Sequence, residues 1–245
     1  MVSLWFIPLL VLLGQGVPNL VNTTNPSMVS MALRLSIASA TISTLLTILL
    51  GTPLAYLLAR YNSWLLTLID ILVDLPLILP AAVAGVALLI AFGRNGVVGQ
   101  FLSPLGIELP FSMAAVILAQ MFVAAPFYVR SAKVGFAEID PRLEQISAIL
   151  GESDWGTFRR VTLPLSRHAL LAGATMTWAR AIGEFGATII FAGNLPGRTQ
   201  TMPLAIFSAL QLNLSVALLL STILLVVSFG ILLLLRLMTR YSYRV

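Results

Sequence analysis

"GESDWGTFRRVTLPL", residues 151–165, interrupts a chain that is otherwise oily enough to dissolve in lipid. A glycine, two acids, a tryptophan and the pair Arg159-Arg160 stand here between apolar segments. Immediately upstream, "PRLEQISAIL" (141–150) places Pro141 where it suits a first helical turn. Leu143, Ile146, Ile149 and Leu150 recur at helical spacing and form one apolar face, with Glu144, Gln145 and Ser147 turned away from it. Gly151 is a helix stop, because a residue without Cβ takes positive φ freely. Ser153 or Asp154 then caps a second helix from about Trp155 to Val161, and Leu163-Pro164 opens the next apolar segment. The stretch therefore reads as two short helices set between membrane spans.

The membrane follows from composition. Of 245 residues, 59% are hydrophobic and 9% charged, and the mean hydropathy of +1.00 describes an integral membrane protein rather than a water-soluble domain. Cysteine is absent and histidine occurs once, which excludes disulfides, thiolate chemistry and Cys/His zinc sites.

A helix crossing the hydrocarbon core needs about 20 mostly apolar residues. Residues 35–59, 75–93 and 109–129 carry no charge, and 214–235 is almost wholly Leu, Val, Ile, Ser and Thr. The expected fold is all-α: a polytopic membrane helix bundle of about six spans in a single domain over 1–245. The spans are read as 2–14, 32–58, 65–93, 110–129, 165–193 and 214–237. The first is short, but it lacks the basic start and small-residue cleavage site of a signal peptide. Pro53, Pro76 and Pro80 lie inside spans and predict kinks held by packed neighbours.

Orientation comes from Lys and Arg in the connections. With the N-terminus inside, Arg60, Arg130, Lys133, Arg142, Arg159, Arg160, Arg167, Arg236, Arg240 and Arg244 fall on the cytoplasmic side, against Arg34, Arg94 and Arg198 outside. The net charge of +5 thus marks a membrane face and calls for no nucleic acid. Both termini are cytoplasmic on this reading, the location is the cell membrane, and 130–164 is the longest internal connection. Asn22-Thr23-Thr24 matches a glycosylation triplet in the first external loop and says little by itself.

The internal connection resembles the cytoplasmic loop of ABC importer permeases, whose motif runs Glu-Ala-Ala, three residues, Gly, nine residues, Ile-x-Leu-Pro. Here nine residues separate Gly151 from Val161-Thr162-Leu163-Pro164. Gln145-Ile146-Ser147 stands where Glu-Ala-Ala would, with Glu144 one position early and Ala148 one late. The resemblance implies a coupling helix docked on a separate ATPase subunit, carried by Glu144, Gln145, Ala148, Gly151, Val161, Leu163 and Pro164. Read without it, the same segment is equally a surface hairpin joining two spans.

"TWARAIGEFGATIIFAGNLPGRTQTMPLAIFSAL" (177–210) is similar to the molybdate transporter permeases, as is "DLPLILPAAVAGVALLIAFGRNG" (74–96). Together with the loop, the resemblance covers about Met31 to the C-terminus. Sulfate permeases share part of the Gly-Glu-aromatic-Gly pattern, so the run from Pro196 to Thr201 followed by Pro203-Leu204-Ala205-Ile206 is the discriminating feature. Molybdate or tungstate is the implied cargo. The resemblance also implies a homodimer, two ATPase subunits and a soluble or lipid-anchored oxyanion-binding protein. No cofactor is expected on this chain; ATP and Mg belong to the partner, because no GxxxxGK[ST] loop occurs here.

Arg180 and Glu184 lie four residues apart, on one face of the fifth span. Neither should face lipid, where a charge costs about 2.5–3.5 kcal/mol on insertion scales. An intrahelical ion pair and an anion route lined by Arg180, Glu184 and Thr188 both fit the spacing. Asp70 and Asp74 read as interfacial or capping carboxylates. Asn194 and Arg198 are candidate contacts of the last external loop, a solvated arginine being the plainer account of Arg198. The rival classes are a sulfate or thiosulfate permease, an ATPase-independent channel or secondary transporter, and a membrane enzyme, which the sparse charges disfavour.

Overall fold

The structure is a computed structural model and describes residues 2–18 and 26–241. The Asn22-Thr23-Thr24 triplet and Arg244 lie outside the described residues. Among the described residues all regular structure is helical. Helix α1 (Val2–Gly16) leads to α2 (Pro26–Arg60), α3 (Trp64–Ile78), α4 (Ala81–Phe92) and a single turn, α5 (Gly99–Leu102). Next come α6 (Met113–Ala137), α7 (Pro141–Ile149), α8 (Asp154–Thr157) and α9 (Leu163–Ile182), then α10 (Gly186–Phe191), α11 (Met202–Leu212) and α12 (Leu214–Tyr241). The all-α membrane bundle is the observed architecture. Ser27–Arg60, Met113–Ala137 and Leu214–Leu235 are each long and apolar enough to cross a membrane unbroken.

Two stretches read as single spans are interrupted. Within 65–93, α3 ends at an extended Leu79 (ψ 134°) and Pro80 caps α4. Proline lacks the N–H that would continue the helix, and it disfavours helical backbone in the residue before it. Pro53 and Pro76, by contrast, sit inside continuous helices α2 and α3. Within 165–193, α9 stops at Ile182 and the chain restarts as α10 at Gly186. The stretch after Asn194, read as loop, contains the eleven-residue α11.

Packing follows membrane rather than aqueous rules. Lipid is as apolar as leucine, so helices associate where small side chains let backbones approach. Ala32, Ala40, Ala55, Ala84, Ala115, Ala119, Ala124, Ala132, Ala181 and Ala187 are accordingly buried, while Leu45, Leu49, Leu50, Ile71 and Ile90 face outward. Gly85 packs so closely on α10 that a Cβ there would meet Ala187 O and Ile190 Cβ, both at 2.9 Å. Helices α2, α6 and α9 form the centre. A stripe of hydroxyls on α2 (Ser36, Ser39, Ser43, Thr44, Thr47) is buried there. Thr44 donates back to Ala40 O at 2.7 Å, and Thr52 shares a 2.6 Å hydrogen bond with the Tyr128 hydroxyl.

Asp70 and Asp74 do not cap α3, a role taken by Ser63, whose side chain accepts from Leu66 N–H. They pair instead with α6: Lys133 Nζ lies 2.7 Å from Asp70, and Arg130 makes a two-point contact of 2.6 and 2.5 Å with Asp74. These bonds fasten α3 beside α6 at the end of the bundle that carries α7 and α8.

Candidate functional site

The segment between α6 and α9 is built by local rules. Asp140 caps α7 by accepting from Arg142 N–H at 2.9 Å, with Pro141 in the first turn. Gly151, at φ +89°, closes the helix: its N–H donates to Ala148 O at 3.0 Å and Glu152 N–H donates to Ser147 O at 3.2 Å. That double closure is the Schellman arrangement, which needs a left-handed residue. Ser153 then caps α8 by accepting from Gly156 N–H at 3.1 Å. A five-residue π-helical turn, Phe158–Thr162, carries the chain into α9, so Val161 lies in that turn and Leu163 and Pro164 begin the long helix.

Which face of α7 meets the bundle is the decisive feature. Glu144 and Ser147 of the expected polar face point inward, whereas Gln145, read as lying beside them, is exposed. Glu144 Oε1 accepts from Arg60 Nη2 at 2.8 Å and from Thr162 Oγ1 at 2.7 Å, and Thr157 Oγ1 donates to Ser147 Oγ at 2.9 Å. The apolar face points out: Ile149 is 82% exposed, Leu150 79%, and Leu143 and Ile146 are exposed beside them. Trp155, on the following α8, is 70% exposed and stacks on Phe158. Gln145 and Ala148 are also exposed. Glu152, Ser153, Trp155, Gly156, Arg159 and Arg160 line a cleft of about 490 Å³, with Arg160 paired to Glu152. Isoleucine, leucine and tryptophan turned outward at a polar loop form a candidate interaction surface, because such patches are seldom left open to water.

At the end of α9, Arg180 Nη2 stands 2.7 Å from Glu184 Oε2. The two differ in access: the Arg180 side chain is 33% exposed, whereas that of Glu184 is 1% exposed. The other oxygen of Glu184 accepts from Ala187 N–H at 2.8 Å, so the carboxylate also ties down the start of α10 across the break at 183–185. Thr188, one of the candidate route residues, is fully buried and its hydroxyl has no hydrogen-bond partner. Gln120 on α6 is likewise buried with both amide ends unpartnered. It lies between Val116, packed with Ala187 and Phe191, and Ala124, packed with Ala181 and Ile182, and hence at the level of the break.

In the loop before α11, Asn194 has both amide ends engaged, donating to Ser208 Oγ at 2.7 Å and accepting from Gln200 Nε2 at 3.0 Å. Arg198 is exposed beside Gly197, which holds φ +73°. Among the described residues no group of three His, Asp or Glu side chains could hold a metal ion.

Arg60, Thr162, Tyr56 and Phe158 are the loop-binding residues that reading the sequence missed. Arg60 counts there only as a positive charge at a span end, and Thr162 only as the variable position before Leu163-Pro164.

The family model described as "Binding-protein-dependent transport system inner membrane component" matches residues 51–242. The chain belongs to that family. Curated relatives of the permease include the "Probable transport system permease protein NifC" of Clostridium pasteurianum, 40% identical over 84% of this chain and 72% of that protein. The "Molybdenum transport system permease protein ModB" of Mycobacterium tuberculosis is 43% identical over 80% of this chain and 75% of its own length. The "Sulfate transport system permease protein CysT" of Salmonella typhimurium is 37% identical over 77% and 68%. Among solved structures, the permease fold superposes on a bacterial ABC transporter importing alginate with a TM-score of 0.73 at 16% identity, covering 91% of this chain and 83% of that one. The MetNI methionine ABC transporter gives 0.68 at 20% identity, covering 91% and 98%. At those identities the likeness speaks for the fold alone.

Proposed function

We propose that the permease forms the membrane route of an ATP-driven importer for molybdate or tungstate. The observation that carries the reading is the outward-turned apolar face of α7, a docking surface for a separate ATPase subunit; the 43% identity to a molybdenum permease supports the cargo. Two copies surround a route on their two-fold axis, each with six crossings, α3–α4 and α9–α10 serving as broken ones. Both termini and the 130–164 segment face the cytoplasm. One ATPase subunit, carrying ATP and Mg, sits under each copy, and an oxyanion-binding protein delivers cargo from outside, where Arg198 is a contact.

ATP binding draws the ATPase subunits together, and each α7 is carried with its subunit, rocking the bundle from inward-open to outward-open. Hydrolysis resets it. A bare dianion cannot enter hydrocarbon, so the route is a polar cavity open to one side at a time. Arg180, the partly exposed member of its pair, faces that cavity. Glu184, enclosed, aims the guanidinium and tempers its charge so that the anion is released. Thr188 lies behind them.

The test is reconstitution in vesicles with the ATPase subunit and the binding protein. ATP-dependent molybdate uptake, competed by tungstate and not by sulfate, is expected. Uptake by the permease alone would mean a channel or secondary transporter. The 37% identity to a sulfate permease supports a second reading, which sulfate competing as well as tungstate would favour.

A further inference from the structure

We infer that the last turn of α2 is the seat through which the loop moves the bundle, and that Glu144 is a positioning residue turned into that seat instead of toward the ATPase subunit. The inference rests on reading the loop as the ATPase-coupling element. One turn of α2 holds the loop at three separate places. Arg60 Nη1 donates to Ile139 O at 3.2 Å, just before α7, and Arg60 Nη2 donates to Glu144 at 2.8 Å, within α7. Four residues earlier on the same face of α2, the Tyr56 ring stands edge-on to Phe158, just after α8, with centroids 5.3 Å apart and planes at 79°. Phe136, at the end of α6, packs edge-on to Tyr56 at 5.6 Å and closes the aromatic group.

The chain itself joins the loop only to α6 and α9. These contacts add α2, the partner from which Glu144 is separated by 84 residues of sequence. The Arg60 and Glu144 side chains are 13% and 18% exposed, so salt screens the pair little. Glu144 Oε1 also receives Thr162 Oγ1 at 2.7 Å, so one oxygen ties α7 to both α2 and the turn leading into α9. Charge-assisted bonds of this kind are short and directional, and a displacement of α7 is passed to α2 before they part. Gln145, Ala148, Ile149 and Leu150 occupy the opposite side, where an ATPase subunit reaches them.

The complex of permease, ATPase subunit and binding protein is assayed in vesicles with Glu144→Leu, Arg60→Met and the double variant. Two quantities are read: ATPase subunit copurifying with the permease, and molybdate taken up per ATP hydrolysed. Copurification at the wild-type level with uptake per ATP reduced roughly tenfold, within the usual range of coupling free energies, is expected. The double variant should be no worse than either single one. Glu144→Gln, which keeps an acceptor oxygen, should recover most of the loss. Arg60→Lys keeps the charge but not the planar fork and should fall between; the two mild variants carry the test if the severe ones fail to insert. Copurification falling together with uptake would make Glu144 an ATPase contact and overturn the inference, as would wild-type uptake per ATP in both singles. Failure of the wild-type permease itself to bind an ATPase subunit would instead overturn the functional reading beneath it.

Discussion

Replacing Gly151 isolates the cost of ending α7 where it does. The residue holds φ +89°, and a Cβ placed there meets no heavy atom within 4 Å. A substitution therefore destabilises through backbone strain, with no steric clash added. Left-handed backbone costs a non-glycine residue about 1–2 kcal/mol, with β-branched residues the worst placed and asparagine the best. That strain opposes the two closing bonds, Gly151 N–H to Ala148 O at 3.0 Å and Glu152 N–H to Ser147 O at 3.2 Å. A loss of about 1–2 kcal/mol raises the opened fraction about 5- to 30-fold. Hydrogen exchange measured by mass spectrometry over 143–157 should accelerate by that factor in Gly151→Val, by less in Gly151→Ala and least in Gly151→Asn. Uptake per ATP should fall in the same order, because a frayed α7 yields under load. Valine exchanging like glycine, or asparagine exchanging faster than valine, would refute the reasoning.

The surface on α7 and the ion pair at the end of α9 make two more expectations. Ile149→Asp alters a residue 82% exposed, so the melting midpoint of the purified permease should stay within the small range usual for surface changes while copurified ATPase subunit drops sharply; a lowered midpoint with normal copurification would show that Ile149 packs within the protein. Arg180→Met strands a carboxylate that is 1% exposed, at a cost of about 3–5 kcal/mol. Glu184→Gln should cost less, since it retains an acceptor for Ala187 N–H and leaves an arginine that is 33% exposed, so thermal unfolding in detergent should rank Arg180→Met below Glu184→Gln. The reverse ranking would mean that Glu184 does not depend on Arg180.

Much of the loop was legible because its signals are local. The stop at Gly151, a cap at Ser153 or Asp154, of which the structure uses Ser153, and proline in the first turns of α7 and α9 all express short-range backbone constraints. The ion pair of Arg180 and Glu184 was legible from their four-residue spacing, and it forms although α9 ends at Ile182 and leaves Glu184 just beyond the helix. The breaks in 65–93 and 165–193 were harder. Proline is tolerated within α2 and α3 at Pro53 and Pro76 yet starts a new helix at Pro80, and the difference depends on how neighbouring helices satisfy the freed backbone groups. The apolar run of α11 is too short to cross a membrane, so a reading that looks for spans of about 20 residues passes over it. The partners of Asp70 and Asp74 lie 63 and 56 residues away, beyond any local pattern.

From the amino-acid order alone came the membrane setting, the all-α class and the division of α7 into an apolar and a polar side, because composition and a 3.6-residue period are properties of the chain. Only the tertiary structure decided which side of α7 is inside. Periodicity separates two faces but does not say which one meets protein. Here the choice fell to Arg60, whose charge needed an enclosed partner, and Glu144 turned inward to supply it, leaving isoleucine, leucine and tryptophan facing out.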